Sequence, residues 1–245
     1  MEHHGPISWL LLIPGLSHDP RWIGVNASLV LFLFIALLSF AGRAALKGGV
    51  ANYIVPSPKA KLSTLLDLMI ESLHKMCQGT LGAHADEHFP FIATLFIFVW
   101  FSNLMGLIPL AASPSASLYT TVALGLASFV YYNVHGIRAH GFVGYCKHFL
   151  MGMGLAGIPI AFFEVISHVL RPVTLGLRLN LNIQIDHMLG TVFGSMAKYI
   201  VPVPLMIFGI VVCTIQAFLF ATLTSVYLQM ATEHEDHGHE GEHHH

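Results

Sequence analysis

Apolar runs long enough to cross a hydrocarbon layer govern what this chain can become. They are "NASLVLFLFIALLSFAG" (26–42), "FPFIATLFIFVWFSNLMGLIPLAA" (89–112), "SLYTTVALGLASFVYYNV" (117–134), "GLAGIPIAFFEVISHVL" (154–170) and "VPLMIFGIVVCTIQAFLFATLTSVYL" (203–228). A bilayer core takes about 20 apolar residues as a helix, because every backbone polar group must be satisfied inside the segment itself. Charged residues make up only 10% of the chain, against about a quarter in ordinary soluble proteins. The expected fold class is an all-α integral membrane protein. It has about five membrane-embedded helices plus one in-plane amphipathic helix, the last two spans being long, strongly tilted and paired as a hairpin.

The 245 residues form a single transmembrane domain. Residues 1–25 are an external N-terminal segment, 26–46 the first span, 60–82 a cytoplasmic surface helix, 89–111 the second span and 116–135 the third. "KLSTLLDLMIESLHKMCQGTL" (61–81) has helical periodicity but carries Asp67, Glu71 and Lys75, so it reads as lying on the surface. "SPSAS" (113–117) is a tight external turn. Residues 154–196 and 200–231 are the long helices, with "VPVP" (201–204) turning between them. Forty helical residues reach about 60 Å, roughly twice the hydrocarbon thickness, so they break or tilt. Residues 232–245 are a disordered His- and acid-rich cytoplasmic tail, or partly a purification tag.

Lysine and arginine set the orientation. Arg43, Lys47, Lys59, Lys61, Lys75, Arg138 and Lys147 belong on the cytoplasmic side, with Arg21 and Lys198 outside. The N-terminus is therefore external, the loop at 136–150 internal and the C-terminus cytoplasmic. "MEHHGPISWLLLIPG" has neither the basic segment nor the cleavage site of a secretory signal. With no transit peptide evident, a bacterial inner membrane is expected.

The net charge of -2 gives no sign of a nucleic-acid partner. Cys77, Cys146 and Cys213 have no metal spacing and read as small apolar residues. "GMGLAG" (152–157) matches a dinucleotide fingerprint by letters, but no strand precedes it. "HADEH" (84–88) matches a zinc-protease pattern, yet it stands at the mouth of a span without a further ligand. No metal and no cofactor are expected.

The stretch "LRPVTLGLRLNLNIQIDHML" (170–189) runs against the apolar trend. At about 100° per residue, with Glu164 as reference, His168, Arg171, Arg178, Asn182 and Asp186 all fall within about 40° of one line. Ser167 and Thr174 lie just beside it, while Asn180, Gln184 and His187 fall on the opposite face. Arg171 and Glu164 read most simply as a structural ladder, or Arg171 as snorkelling. Arg178 does not. A charge near the bilayer centre costs at least about 2.5–3.5 kcal/mol, and arginine cannot shed its proton. The last helix holds no carboxylate, and its strongest mid-helix polar group is Gln216. Arg178 is expected to find its partner on another subunit.

"RPVTLGLRLNLN" and "TIQAFLFATLTSVYLQMA" (214–231) resemble subunit a of the F-type ATP synthase membrane sector. "FVWFSNLMGLIP" (98–109) resembles an earlier span of that family, with Asn103 in its "NLM" position. The resemblance covers about residues 26–232. It implies that Arg178 is the essential arginine facing the carboxylates of a rotating c-subunit ring. Asn182 and Gln216 are then its polar neighbours and Glu164 an acid on the cytoplasmic side. The family usually reads "RLFGN" where this chain has "RLNLN", so Asn180 replaces an aromatic and Leu181 a glycine. A titratable slot holds Gly209 here, and an acid of some relatives is replaced by Gly106. Asp186 is expected to stand in for the group missing at 209.

The implied function is proton translocation through two offset half-channels, coupled to ATP synthesis. The outer path runs past Asn103, His187, Asp186 and Gln184, and the inner one past Glu164, His168 and Ser167. The chain itself is non-catalytic and has no ATP site. Implied partners are the c ring, the peripheral-stalk b subunits, the rest of the complex and the lipid bilayer, with H⁺ or Na⁺ as the ion. The alternatives are a secondary ion transporter, which needs internal repeats, or another ion-channel subunit.

Overall fold

The structure, a computed structural model, describes residues 23–46, 62–108, 113–150, 157–196 and 202–232. Every regular element among them is helical. α1 spans Ile23–Leu46, α2 Leu62–Leu81, α3 Ala85–Leu107, α4 Leu118–Leu150, α5 Gly157–Met196 and α6 Pro202–Thr232, with short 3-10 turns at Gly82–His84 and Pro114–Ala116. Three helices are long and apolar enough to cross a membrane, over 23–40, 85–107 and 204–232. Buried polar residues are spread over the bundle, among them Ser102 and Asn103 of α3, Thr121 and Ser128 of α4, Asn180 of α5 and Gln216 and Thr224 of α6. The external segment 1–22, "GMGLAG" up to residue 156 and the tail from 233 lie outside the described residues.

α2 is amphipathic, and its contacts follow from that. Asp67, Glu71 and Lys75 are exposed, whereas Leu73 and Cys77 are fully buried. Glu71 and Lys75 pair at 2.7 Å one turn apart, and the ammonium holds the Glu71 carboxyl below its ordinary range. On the other side, the Cys77 thiol lies 3.9 Å from the Ser225 hydroxyl of α6. Burial pushes that thiol's pKa up. Leu73 and Cys77 join Ile92, Phe96 and Val99 of α3 and Phe220 of α6 in the largest apolar cluster.

Between apolar helices in lipid, burial gives little driving force, so small residues and interhelical hydrogen bonds decide the packing. Trp100 donates its indole N–H to Thr214 Oγ1 at 3.0 Å, joining α3 to α6. Ser128 and Thr224 share a buried hydrogen bond of 3.0 Å between α4 and α6. α4 meets α5 backbone to backbone. A Cβ on Gly176 would lie 2.7 Å from the Thr121 carbonyl oxygen, and one on Gly125 would collide with the Pro172 carbonyl. Neither neighbour is a side chain that can swing away. Gly125→Ala is therefore expected to destabilise the chain by about 1–3 kcal/mol, measured as less assembled complex per unit of membrane.

One connection differs from expectation. Helical structure in α4 continues through the expected loop at 136–150, interrupted at Gly141 with φ 71. A left-handed residue there lets two helical stretches abut, and glycine takes that conformation without a side-chain clash. The turn at 113–117 is sunk into the bundle, Ser113 and Ser115 being 5% and 1% exposed. Its polar groups are satisfied inside the protein. Ser113 Oγ donates to the Ser102 carbonyl at 2.7 Å, and the Ser115 N–H donates to Ser102 Oγ at 3.1 Å.

α5 is continuous for 40 residues, Pro172 included. A Cβ on Gly106, at the end of α3, would lie 2.8 Å from Ile183 Cδ1. α3 thus ends beside the middle of α5, and more than ten residues of α5 extend beyond that level.

Candidate functional site

α5 presents two unlike sides. Leu175, Leu179 and Ile183 are 5%, 1% and 0% exposed and pack inward. Leu177, Leu181 and Ile185 are exposed, and Arg178 stands exposed among them. Among the described residues no acid pairs with it. Glu164 is two heptads away along the axis, about 21 Å, and Asp186 about 12 Å. The described residues hold ion pairs only at Glu71–Lys75 and His74–Asp86, both far along the sequence from Arg178. A guanidinium on an apolar outer face keeps its charge where lipid makes that charge costly.

Toward the N-terminal end of α5 the polar groups meet α4 and α6. His168 Nε2 hydrogen-bonds Asn133 Oδ1 at 3.0 Å, and its ring stands edge-on to Tyr132 at 5.4 Å. Arg171 lies over the Tyr227 ring of α6, 4.8 Å from its centroid. That contact supplies Arg171 with a partner in α6 through cation–π attraction. Ser167 is exposed. Glu164 falls on the same helix, and its side chain lies outside the described residues.

Toward the other end, buried polar atoms stand without protein partners. Asn103 of α3 is 0% exposed, with neither amide atom hydrogen-bonded among the described residues. Asn182 Nδ2 and Asp186 Oδ2 are in the same condition. An orphaned buried polar atom costs about 1–3 kcal/mol, so a run of them calls for a reason beyond packing. The Asp186 carboxylate interacts electrostatically with His187 and with the Cys213 thiol of α6. Gln216 of α6 is buried. Gln184 and His187 are exposed, on a side of α5 away from Asn182.

Sequence reasoning missed several partners. Asn133 and Tyr227, which hold His168 and Arg171, sit in unremarkable apolar runs. Asn180 stood out in the sequence as a far-face residue and a departure from the family pattern, with no partner foreseen. It is 8% exposed and donates to the Ser115 and Ala116 carbonyls at 3.1 and 3.0 Å. The glycines at 106 and 209 are packing positions: a Cβ on Gly209 would collide with the Leu107 side chain, so an aliphatic group of α3 fills the space a side chain would need.

The family described as ATP synthase A chain matches residues 25–229, which takes in α2 to α5 whole and nearly all of α1 and α6. The chain belongs to the ATP synthase A chain family. Among its relatives, ATP synthase subunit a of Bdellovibrio bacteriovorus is 34% identical over 230 residues, covering 93% of this chain and 98% of the relative. ATP synthase subunit a 3 of Pelobacter propionicus is 38% identical over 213 residues, 85% of this chain and 87% of the relative. ATP synthase subunit a of Sorangium cellulosum is 32% identical over 255 residues, 96% and 99% respectively. An A chain of this family is a membrane protein, in keeping with the apolar helices found here.

Proposed function

We infer that this A chain is the proton-translocating subunit of an ATP synthase membrane sector, working against a ring of c subunits. The observation that carries the reading is Arg178, exposed on an apolar face with no ion-pair partner among the described residues. A ring carboxylate arriving there would supply the missing partner, and an opposite charge favours the ionised carboxylate by roughly 1–3 pKa units. Away from Arg178, desolvation favours the neutral acid, which can turn through lipid.

Two half-channels then serve the ring from opposite sides. The outer one uses Asn103, Asn182 and Asp186, with His187 and Gln184 at its mouth and Gln216 facing it from α6. The inner one uses His168, Ser167 and Glu164. The fixed charge of Arg178 between them opposes direct proton passage, so each ion must ride the ring. Each charge crossing the membrane releases about 2.3 kcal/mol per 100 mV, which rotation delivers to ATP synthesis elsewhere in the complex. Asp186 replaces the titratable group absent at Gly209. The positive residues place the N-terminus outside and the C-terminus in the cytoplasm, with b subunits as further partners.

Liposomes holding the membrane sector, with and without this chain, test the function. Under a potassium diffusion potential, proton uptake is expected only when the chain is present with the ring. Equal uptake without it would assign translocation to another subunit.

A further inference from the structure

The buried turn at 113–117 and the middle of α5 are joined by one side chain. Both amide protons of Asn180 are committed, one to the Ser115 carbonyl and one to the Ala116 carbonyl, at 3.1 and 3.0 Å. The turn is in turn fixed to α3, because Ser113 and Ser115 both bond Ser102. A directional, water-poor chain of hydrogen bonds thus runs from α3 through the turn to α5. It ends two residues from Arg178, on roughly the opposite side of the helix.

We propose that Asn180 is the positioning residue that sets the direction of Arg178. The proposal rests on the reading of Arg178 as the ring-facing charge. Leu175, Leu179 and Ile183 choose which side of α5 packs inward, but in lipid such contacts do not fix rotation or axial slip. A slip of one residue turns a helix by about 100°, enough to swing Arg178 off the ring-facing side. Two donors held by two backbone carbonyls remove that freedom, since either a rotation or a slide breaks both bonds. The glycine crossing at Gly125 and Gly176 fixes distance to α4 lower on the helix, and the amide fixes orientation beside the charge.

The test uses the whole complex in inverted membrane vesicles, comparing Asn180→Leu, Asn180→Gln, Ser102→Ala and Arg178→Ala. Amount of assembled complex, ATP-driven pumping per complex and passive proton leak are read together. Asn180→Leu is expected to assemble, to pump roughly fivefold to tenfold less per complex, and to leak more. Asn180→Gln, which keeps the amide, should recover part of the pumping. A role in folding alone would change the amount of complex and leave pumping per complex and leak untouched. Should Asn180→Leu fail to assemble, Ser102→Ala loosens the turn by removing the acceptor of the Ser115 N–H while sparing α5, leaves the Ser113 bond to the residue 102 carbonyl, and should show a smaller rise of the same leak. Normal pumping and leak in whichever of Asn180→Leu and Ser102→Ala assembles would overturn the proposal. If Arg178→Ala also pumps normally, the ring-facing reading itself fails; if Arg178→Ala is inactive, only the positioning role is lost.

Discussion

Replacing Arg178 with alanine is expected to reduce ATP-driven proton pumping by at least about a hundredfold, the scale seen when a preorganised charge is removed from a reacting site. Passive leak through the same complex should rise, because nothing then holds the half-channels apart. Loss of stability does not explain such a result. Arg178 is exposed on an apolar face and costs at least about 2.5–3.5 kcal/mol to insert, so its removal should leave the chain as stable or more so. Arg178→Lys should also fail. Lysine keeps a charge but loses the planar fork and can deprotonate in an apolar setting. A complex that pumps normally with alanine at 178 would make the polar stripe structural.

The second large effect is expected at Asp186. Asp186→Asn preserves shape and removes the ability to carry a proton, so synthesis driven by a proton gradient should fall by about a hundredfold. Asp186→Glu should retain more activity than Asp186→Asn. The substitution for the group absent at Gly209 can be read in the same assay. Gly209→His must displace Leu107, a flexible side chain, and is expected to lower activity beside Asp186, with recovery when Asp186→Gly is added. Full activity in Asp186→Asn would move the outer path to other residues, with Asn103 and Asn182 the first to examine.

Much of this was readable in the residues, for identifiable reasons. The apolar runs and the amphipathic pattern of 61–81 are one-dimensional signals, and burial of Leu73 and Cys77 against exposure of Glu71 and Lys75 follows the pattern. The long helices were legible because Pro172 and the glycines carry too few turn residues to end a helix of that length. Arg178 was legible from energetics, since a charge in lipid demands a reason. What escaped depends on which helices meet. Nothing in "SFVYYNV" says that Asn133 receives His168, or that Tyr227 lies under Arg171. The burial of the turn at 113–117 was not legible either, because it depends on Ser102 and Asn180 meeting the turn's backbone groups. The continuation of α4 past residue 135 rests on Gly141 taking a positive φ, which no periodicity announces.

The most direct test of the Arg178 face is disulfide trapping, in a complex whose native cysteines have been replaced. Leu181→Cys lies on the exposed side with Arg178 and Leu179→Cys on the buried side, 55% and 1% exposed respectively. Each is paired with a cysteine placed one turn from the ring carboxylate. The account predicts a rapid a–c disulfide from position 181 and none from 179. A disulfide from 179, or none from 181 in an assembled complex, would contradict it.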